Sequence, residues 1–254
     1  MKYNSLNEFE IFLLSHHTPA TAQTYKKAMD FLLKEQYLFD CKKLDVEKVI
    51  QKLKVIKYKN QYSKYKNAFL KYCSFIGLEL DEDTRLELSM IRLEKKKKRR
   101  QLKQVELKDI LNHLKVMRDK KLKCSFETML HTGLRVSELS QIQKENCTIE
   151  TDYIEFDFLG KGGNQERVVF YEIQNQQLFE DLKNLISNTT GKVFYSANYL
   201  QSKAKENGFC CHDLRRAYAK LDYKKYRDMS HTQKSLRHKN TKNTKIYVNS
   251  KVKI

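Results

Sequence analysis

The stretch "HDLRRAYAKL" holds residues whose types and spacing suit chemistry. His212 and Arg215 lie three apart, beside an apolar stripe of Leu214, Ala217, Tyr218 and Leu221. At helical periodicity they project together along one half-buried edge. An arginine offers phosphate oxygens a planar fork of donors, and a histidine passes a proton near neutral pH, so the pair suits an anion site. Taken alone it reads more readily as a surface pair in a basic protein, because this spacing recurs by chance in many helices. A second pair stands in "MLHTGLRVSEL". Gly133 is a good helix stop, and Arg135 with Glu138 opens the next helix. A cation near a helix start opposes the helix dipole. Arg135 is therefore better explained by something outside its own helix, with Glu138 placed to steady the guanidinium.

These side chains need a scaffold, and 254 residues suffice for two ordinary domains with cores of their own. Residues 1–90 read as a small all-helical domain: Leu6, Phe9, Phe12 and Leu13, then Tyr25, Ala28, Met29 and Leu32, then Val46, Val49, Ile50 and Leu53, then Tyr65, Phe69, Tyr72, Cys73 and Ile76 fall on helical stripes. Pro19, the single proline, sits where a helix start tolerates it. Residues 91–104 interrupt the pattern with six consecutive basic residues, Lys95 to Arg100. Such a run repels itself unless an anion compensates it, so it reads as a linker, either merely solvated or laid on a phosphate backbone. From 105 helical periodicity returns, broken by "YIEFDFLGKGGNQERVVFYEI", whose alternation around a glycine-rich turn predicts strands at 153–159 and 166–171. The fold class expected is mainly α with a small antiparallel β-sheet.

Lys and Arg number 50 against 31 Asp and Glu, a formal net charge of +19 spread along the chain. That favours a polyanionic partner, with nucleic acid ahead of an anionic membrane. No apolar run approaches the roughly 20 residues of a membrane span, and the acidic N-terminal stretch does not resemble a signal peptide, so a cytoplasmic location is expected. The six cysteines show neither a CxxC pair nor a repeated spacing, which leaves reduced structural thiols as the simplest reading and no metal site indicated.

Taken in order, "TGLRVSEL" followed by a strand, then "GKGGNQERVV", "HDLRR" and "LRHKNTKNTKIY" resemble the tyrosine recombinase, or phage integrase, family. The resemblance covers the second half of the chain in detail and the first only in general shape. It implies catalytic roles for Arg135, Lys161, His212, Arg215, His238 and Tyr247, with Glu138 in support. Read without it, Lys161 is a hairpin-turn residue, His238 a polar residue on a basic helix, and Tyr247 one of fifteen tyrosines. His113, His131 and His231, and Tyr153, Tyr171, Tyr218 and Tyr223, belong to helices, strands or stripes. Two departures stand out: Arg237 replaces the glycine usual before the second histidine, and Arg216 stands where a histidine often follows the HxxR arginine.

The implied activity is site-specific cutting and rejoining of duplex DNA, without metal or cofactor, through a 3′-phosphotyrosyl intermediate. A phenol with an ordinary pKa near 10 needs help to attack phosphorus at neutral pH. His212 and its basic neighbours supply that help; two arginines and His238 meet the charge on the nonbridging oxygens; Lys161 protonates the departing 5′ oxygen. The resemblance further implies a helical core-DNA-binding domain (1–90), a basic linker (91–104) and an integrase-type catalytic domain (105–254). The two domains would clamp double-stranded DNA target sites, as a monomer or weak oligomer when free and a homo-tetramer on DNA. Roughly 100 residues precede the catalytic motifs, leaving no room for a further arm-binding domain. Family members often pass a C-terminal helix to a neighbouring protomer, for which "VNSKVKI" is short. Rival readings are a hairpin telomere resolvase, a type IB topoisomerase, a catalytically idle DNA-binding accessory protein and a basic RNA-binding helical protein.

Overall fold

The computed structural model describes residues 6–37, 44–91, 105–160, 163–250 and 252–254, and the chain divides between Met1–Arg100 and Gln101–Ile254. The basic run at 95–100 lies outside the described residues, as do Lys161 and Cys41.

The first unit is built from α1 (Leu6–Leu14), α2 (Pro19–Tyr37), α3 (Val46–Lys54), α4 (Lys59–Phe75) and α5 (Glu82–Met90). Two of its helix starts are set by short polar side chains: Asp45 accepts from the Lys48 amide and Asp81 from the Thr84 amide, each satisfying an orphan N–H of the first turn. The stripes read from the sequence meet in one core, where Phe9, Leu13, Met29, Leu32, Val49, Leu53 and Phe69 are fully enclosed. The sequence periodicity did not separate α5, because Leu88 is its sole buried residue; Tyr62 holds it through a hydrogen bond from its hydroxyl to the Leu88 carbonyl.

The second unit begins with α6 (Leu107–Val116), α7 (Lys120–Thr132) and the single turn α8 (Val136–Leu139). Three strands follow, β1 (Cys147–Ile149), β2 (Tyr153–Leu159) and β3 (Gln165–Tyr171), antiparallel in the order β1-β2-β3. The β2–β3 register pairs Phe156 with Val168 and Leu159 with Gln165. Alternation along β2 sends Ile154, Phe156 and Phe158 into the core. The expected hairpin is present, and β1 adds a third strand too short to show an alternation of its own. The chain then forms α9 (Gln176–Ser187), α10 (Ala197–Glu206), α11 (Cys211–Tyr226), α12 (Met229–Ser235) and α13 (Thr241–Val248), with α11 packed against α7, α12 and α13. The architecture is mainly helical with a small antiparallel sheet. Among the described residues, no helix is long and apolar enough to cross a membrane.

Candidate active site

Gly133 ends α7 in the left-handed region (φ 63°), and its Cα lies so close to α11 that an added Cβ would stand 2.5 Å from the Tyr218 ring. Both facts require glycine. The turn brings Arg135 to the start of α8, where its amide donates to Glu138 Oε2 at 2.8 Å and its guanidinium donates to Oε1. Glu138 is almost wholly buried. Burial alone would raise its pKa, but the amide and guanidinium of Arg135 and the charges of Arg237 and Arg135 outweigh that, and its carboxyl titrates below the usual range.

Arg215 also reaches Glu138, its Nη1 lying 3.8 Å from Oε2. The sequence pattern put Arg215 on a half-buried edge; instead it is fully enclosed, donating to the carbonyls of Gly133 and Leu236. Leu221, expected on the buried stripe, is 40% exposed. The reason is one of phase: the buried residues of α11 are Cys211, Asp213, Leu214, Arg215, Ala217, Ala219 and Asp222, so three charged residues occupy positions that apolarity would assign elsewhere. Burial, then the charges of Arg135 and Arg237, push the Arg215 pKa down to about 10, which still leaves a cation at neutral pH. His212 stands one turn earlier on the exposed rim. The protein around its ring strips part of its water shell, and the charges of Arg216 and Arg215 add to that, lowering its pKa.

The link between α12 and α13 passes through Arg237, at φ 54°, and into His238. The left-handed conformation explains why glycine suits this position, and an arginine held there bears strain of about 1 kcal/mol. Its guanidinium lies over the Phe158 ring, with Nη2 3.3 Å from Glu138 Oε2 and 3.4 Å from the Gly133 carbonyl. His238 is buried, and its Nδ1 is 3.1 Å from Thr244 Oγ1. Burial first, then Arg215, Arg135 and Arg237, lower its pKa to about 4. Three residues beyond Thr244, on the same face of α13, Tyr247 turns its half-buried ring to His238, with centroids 5.0 Å apart. The Arg215 guanidinium lies 5.9 Å from the centre of the same ring.

Arg135, Glu138, Arg215, His238 and Tyr247 are thus joined by direct contacts, with His212 at the rim. Arg237, Thr244 and the Gly133 carbonyl belong to the same cluster and were not read as site residues from sequence, where Arg237 was noted only as a departure before His238. After Tyr247 the chain turns back on its own unit. Val252 is buried, Lys253 pairs with the strand-like stretch at Val105–Leu107, and Lys220 Nζ donates to the Val252 carbonyl. Among the described cysteines all are free thiols, and burial pushes those of Cys73, Cys124, Cys147 and Cys211 up to about 12, which makes them poor nucleophiles.

The model of the phage integrase family matches residues 100–253. The chain belongs to this family of DNA strand-breaking and rejoining enzymes. Solved structures of similar fold include the XerH site-specific recombinase bound to difH substrate, at 18% identity and a TM-score of 0.63 over 97% of this chain and 81% of that one. A lambda integrase dimer bound to a core site matches at 16% identity and TM-score 0.65, covering 96% of this chain and 94% of that one. The Tn1549 transposon integrase with transposon right end DNA matches at 14% and 0.58, covering 97% and 95%. No curated protein matches significantly. The geometry gives Arg237 five protein partners: Gly133, Glu138, Phe158, Glu166 and Ser235.

Proposed function

We propose that this integrase-family chain is a site-specific DNA recombinase, cutting and rejoining duplex DNA through Tyr247. The observation that carries the reading is the Tyr247 ring held against both His238 and Arg215, while Glu138 gathers Arg215 with Arg135. The phenolic oxygen attacks phosphorus, a 3′-phosphotyrosyl bond forms and the bond to the 5′ oxygen breaks. That oxygen leaves as a hydroxyl after taking a proton from Lys161. Arg135, the more exposed of the two arginines, meets the charge on the nonbridging oxygens, and the enclosed Arg215 adds its positive charge from beneath, so the step calls on no metal. His238, neutral before substrate arrives, pairs with the Thr244 hydroxyl at Nδ1; in the tautomer this mechanism uses, Nδ1 accepts and Nε2–H is a further donor to the phosphate. His212, also held neutral, is the base that draws the proton from the phenol. The free 5′ hydroxyl then attacks a second phosphotyrosyl junction and exchanges strands without ATP.

On this reading residues 1–90 grip core DNA, 91–104 lie along the phosphates and 105–254 carry catalysis, with a homo-tetramer as the working assembly. The three structural neighbours were captured with DNA, which supports a DNA partner here. The test is a pool of randomised nicked duplexes incubated with the full chain and denatured in detergent. Wild type is expected to retain DNA covalently and Tyr247→Phe to retain none while still binding. Tight binding with no adduct, or an adduct with Tyr247→Phe, overturns the assignment.

A further inference from the structure

We propose that Arg237 is a positioning residue for the phosphate-binding arginines: it holds the Glu138 carboxylate, and through it aims Arg135. This rests on the reading of Arg135 given under the proposed function.

A guanidinium has five N–H donors. Those of Arg237 are directed into the protein: Nη1 donates to the Ser235 carbonyl at 3.1 Å, and Nη2 to the Gly133 carbonyl at 3.4 Å and Glu138 Oε2 at 3.3 Å. Its Nε faces Glu166 Oε2 at 3.3 Å; neither buried atom has a hydrogen bond, so each supplies the charge the other needs. The side chain is 13% exposed and stacked on Phe158. With three of these donors bonded within the protein and Nε facing Glu166, Arg237 acts on the site through Glu138. That carboxylate has one oxygen on the Arg135 guanidinium and the other on the Arg135 amide and on Arg237. Fixing Oε2 from two sides fixes the plane of the carboxylate, and with it the direction of the Arg135 fork. Glu166, on β3, anchors the arrangement to the sheet.

The cost of this device is visible in the backbone, since Arg237 sits at φ 54° where glycine would be unstrained. Arg237→Gly therefore removes the side chain without imposing a new backbone strain, and Arg237→Lys keeps a charge but loses the fork.

The experiment measures single-turnover adduct formation by the full chain on the duplex recovered from the covalent capture, at saturating protein. One substrate carries the ordinary phosphodiester and one a methylphosphonate at the scissile position, which lacks the negative charge an aimed arginine would neutralise. Arg237→Gly is expected to slow the phosphodiester reaction roughly ten- to a hundredfold, as a small misplacement of a catalytic group does. The methylphosphonate reaction is expected to be slowed little, as with Arg135→Ala, and Arg237→Lys to fall between. Glu166→Gln should act in the same sense, and its effect should not add to that of Arg237→Gly. Equal slowing on both substrates, or none on either, overturns the inference. If Arg135→Ala itself slows both substrates equally, the charge role given to Arg135 fails, and the inference falls with it. A wild type that forms no adduct removes the nucleophile assignment and so refutes both.

Discussion

His238 and Tyr247 meet edge to face, their ring centroids 5.0 Å apart at 70°, and Thr244 Oγ1 stands 3.1 Å from the histidine's Nδ1. The hydroxyl can donate to Nδ1 or accept from it; in the tautomer proposed above it donates, and the hydrogen stays on Nε2. Thr244→Val keeps shape and removes that donor. Leaving a buried nitrogen without its partner costs about 1–3 kcal/mol, visible as a lower urea midpoint. The tautomer is also released, and loss of a well-placed transition-state donor lowers turnover on the order of a hundredfold. Adduct formation unchanged from wild type would show that Thr244 does not set the histidine.

The same histidine makes stability depend on pH. Its folded pKa, lowered to about 4, lies below the ordinary value of 6.5. The contribution is therefore fully present above pH 6.5 and is lost as pH falls towards 4, because the unfolded chain takes up a proton that the folded chain refuses. At the limit this is on the order of 3 kcal/mol. His212, lowered in the same direction, acts in the same sense. Glu138, whose carboxyl titrates low, adds a further loss as pH drops through the carboxylate range. Melting curves from pH 7.5 to 4.5 should fall more steeply for wild type than for His238→Gln; parallel curves would refute the buried neutral imidazole.

Gly133 couples the fold to the site, since its carbonyl accepts from Arg215 and Arg237 while its Cα touches Tyr218. Gly133→Ala meets two penalties, a left-handed backbone and a Cβ 2.5 Å from the ring. Together they are expected to cost about 2–4 kcal/mol. Adding Tyr218→Ala should relieve the second penalty and leave the first, so the pair of substitutions will be non-additive. Strict additivity in denaturant unfolding would show that the ring is not what excludes a side chain there.

How much of this was legible beforehand follows from what each signal encodes. Helical stripes such as Phe9, Leu13, Met29 and Leu32 were visible because burial of apolar faces dictates them, and the β2–β3 hairpin because alternation and a glycine-rich turn coincide. The order of motifs from Arg135 to Tyr247 was legible as a family pattern. Hidden were the facts set by charge inside the fold. Arg215 is fully enclosed although a hydropathy stripe gives its place to Leu221, because carbonyls of Gly133 and Leu236 wait to receive it. Arg237 looked like a departure, and only its positive φ and its reach to Glu138 and Glu166 give it a purpose. Partners 21 to 104 positions away in sequence leave no local trace.

The excess positive charge leads to a prediction that does not depend on any one side chain. With a formal net charge of +19, association with duplex DNA should release counterions in proportion to the phosphates neutralised. Contact with about 6–10 phosphates would weaken binding roughly a thousand- to a hundred-thousandfold between 50 and 200 mM salt. Tyr247→Phe should show the same slope in a fluorescence-anisotropy titration, because the phenol hydroxyl carries no charge in the bound, uncleaved state. Replacing Lys95 to Lys98 by glutamine should make the slope shallower if that run lies along the backbone. A flat response for wild type would remove the electrostatic basis for a DNA partner, and a steeper slope for Tyr247→Phe than for wild type would show that the wild-type affinity includes covalent capture, which salt does not reverse.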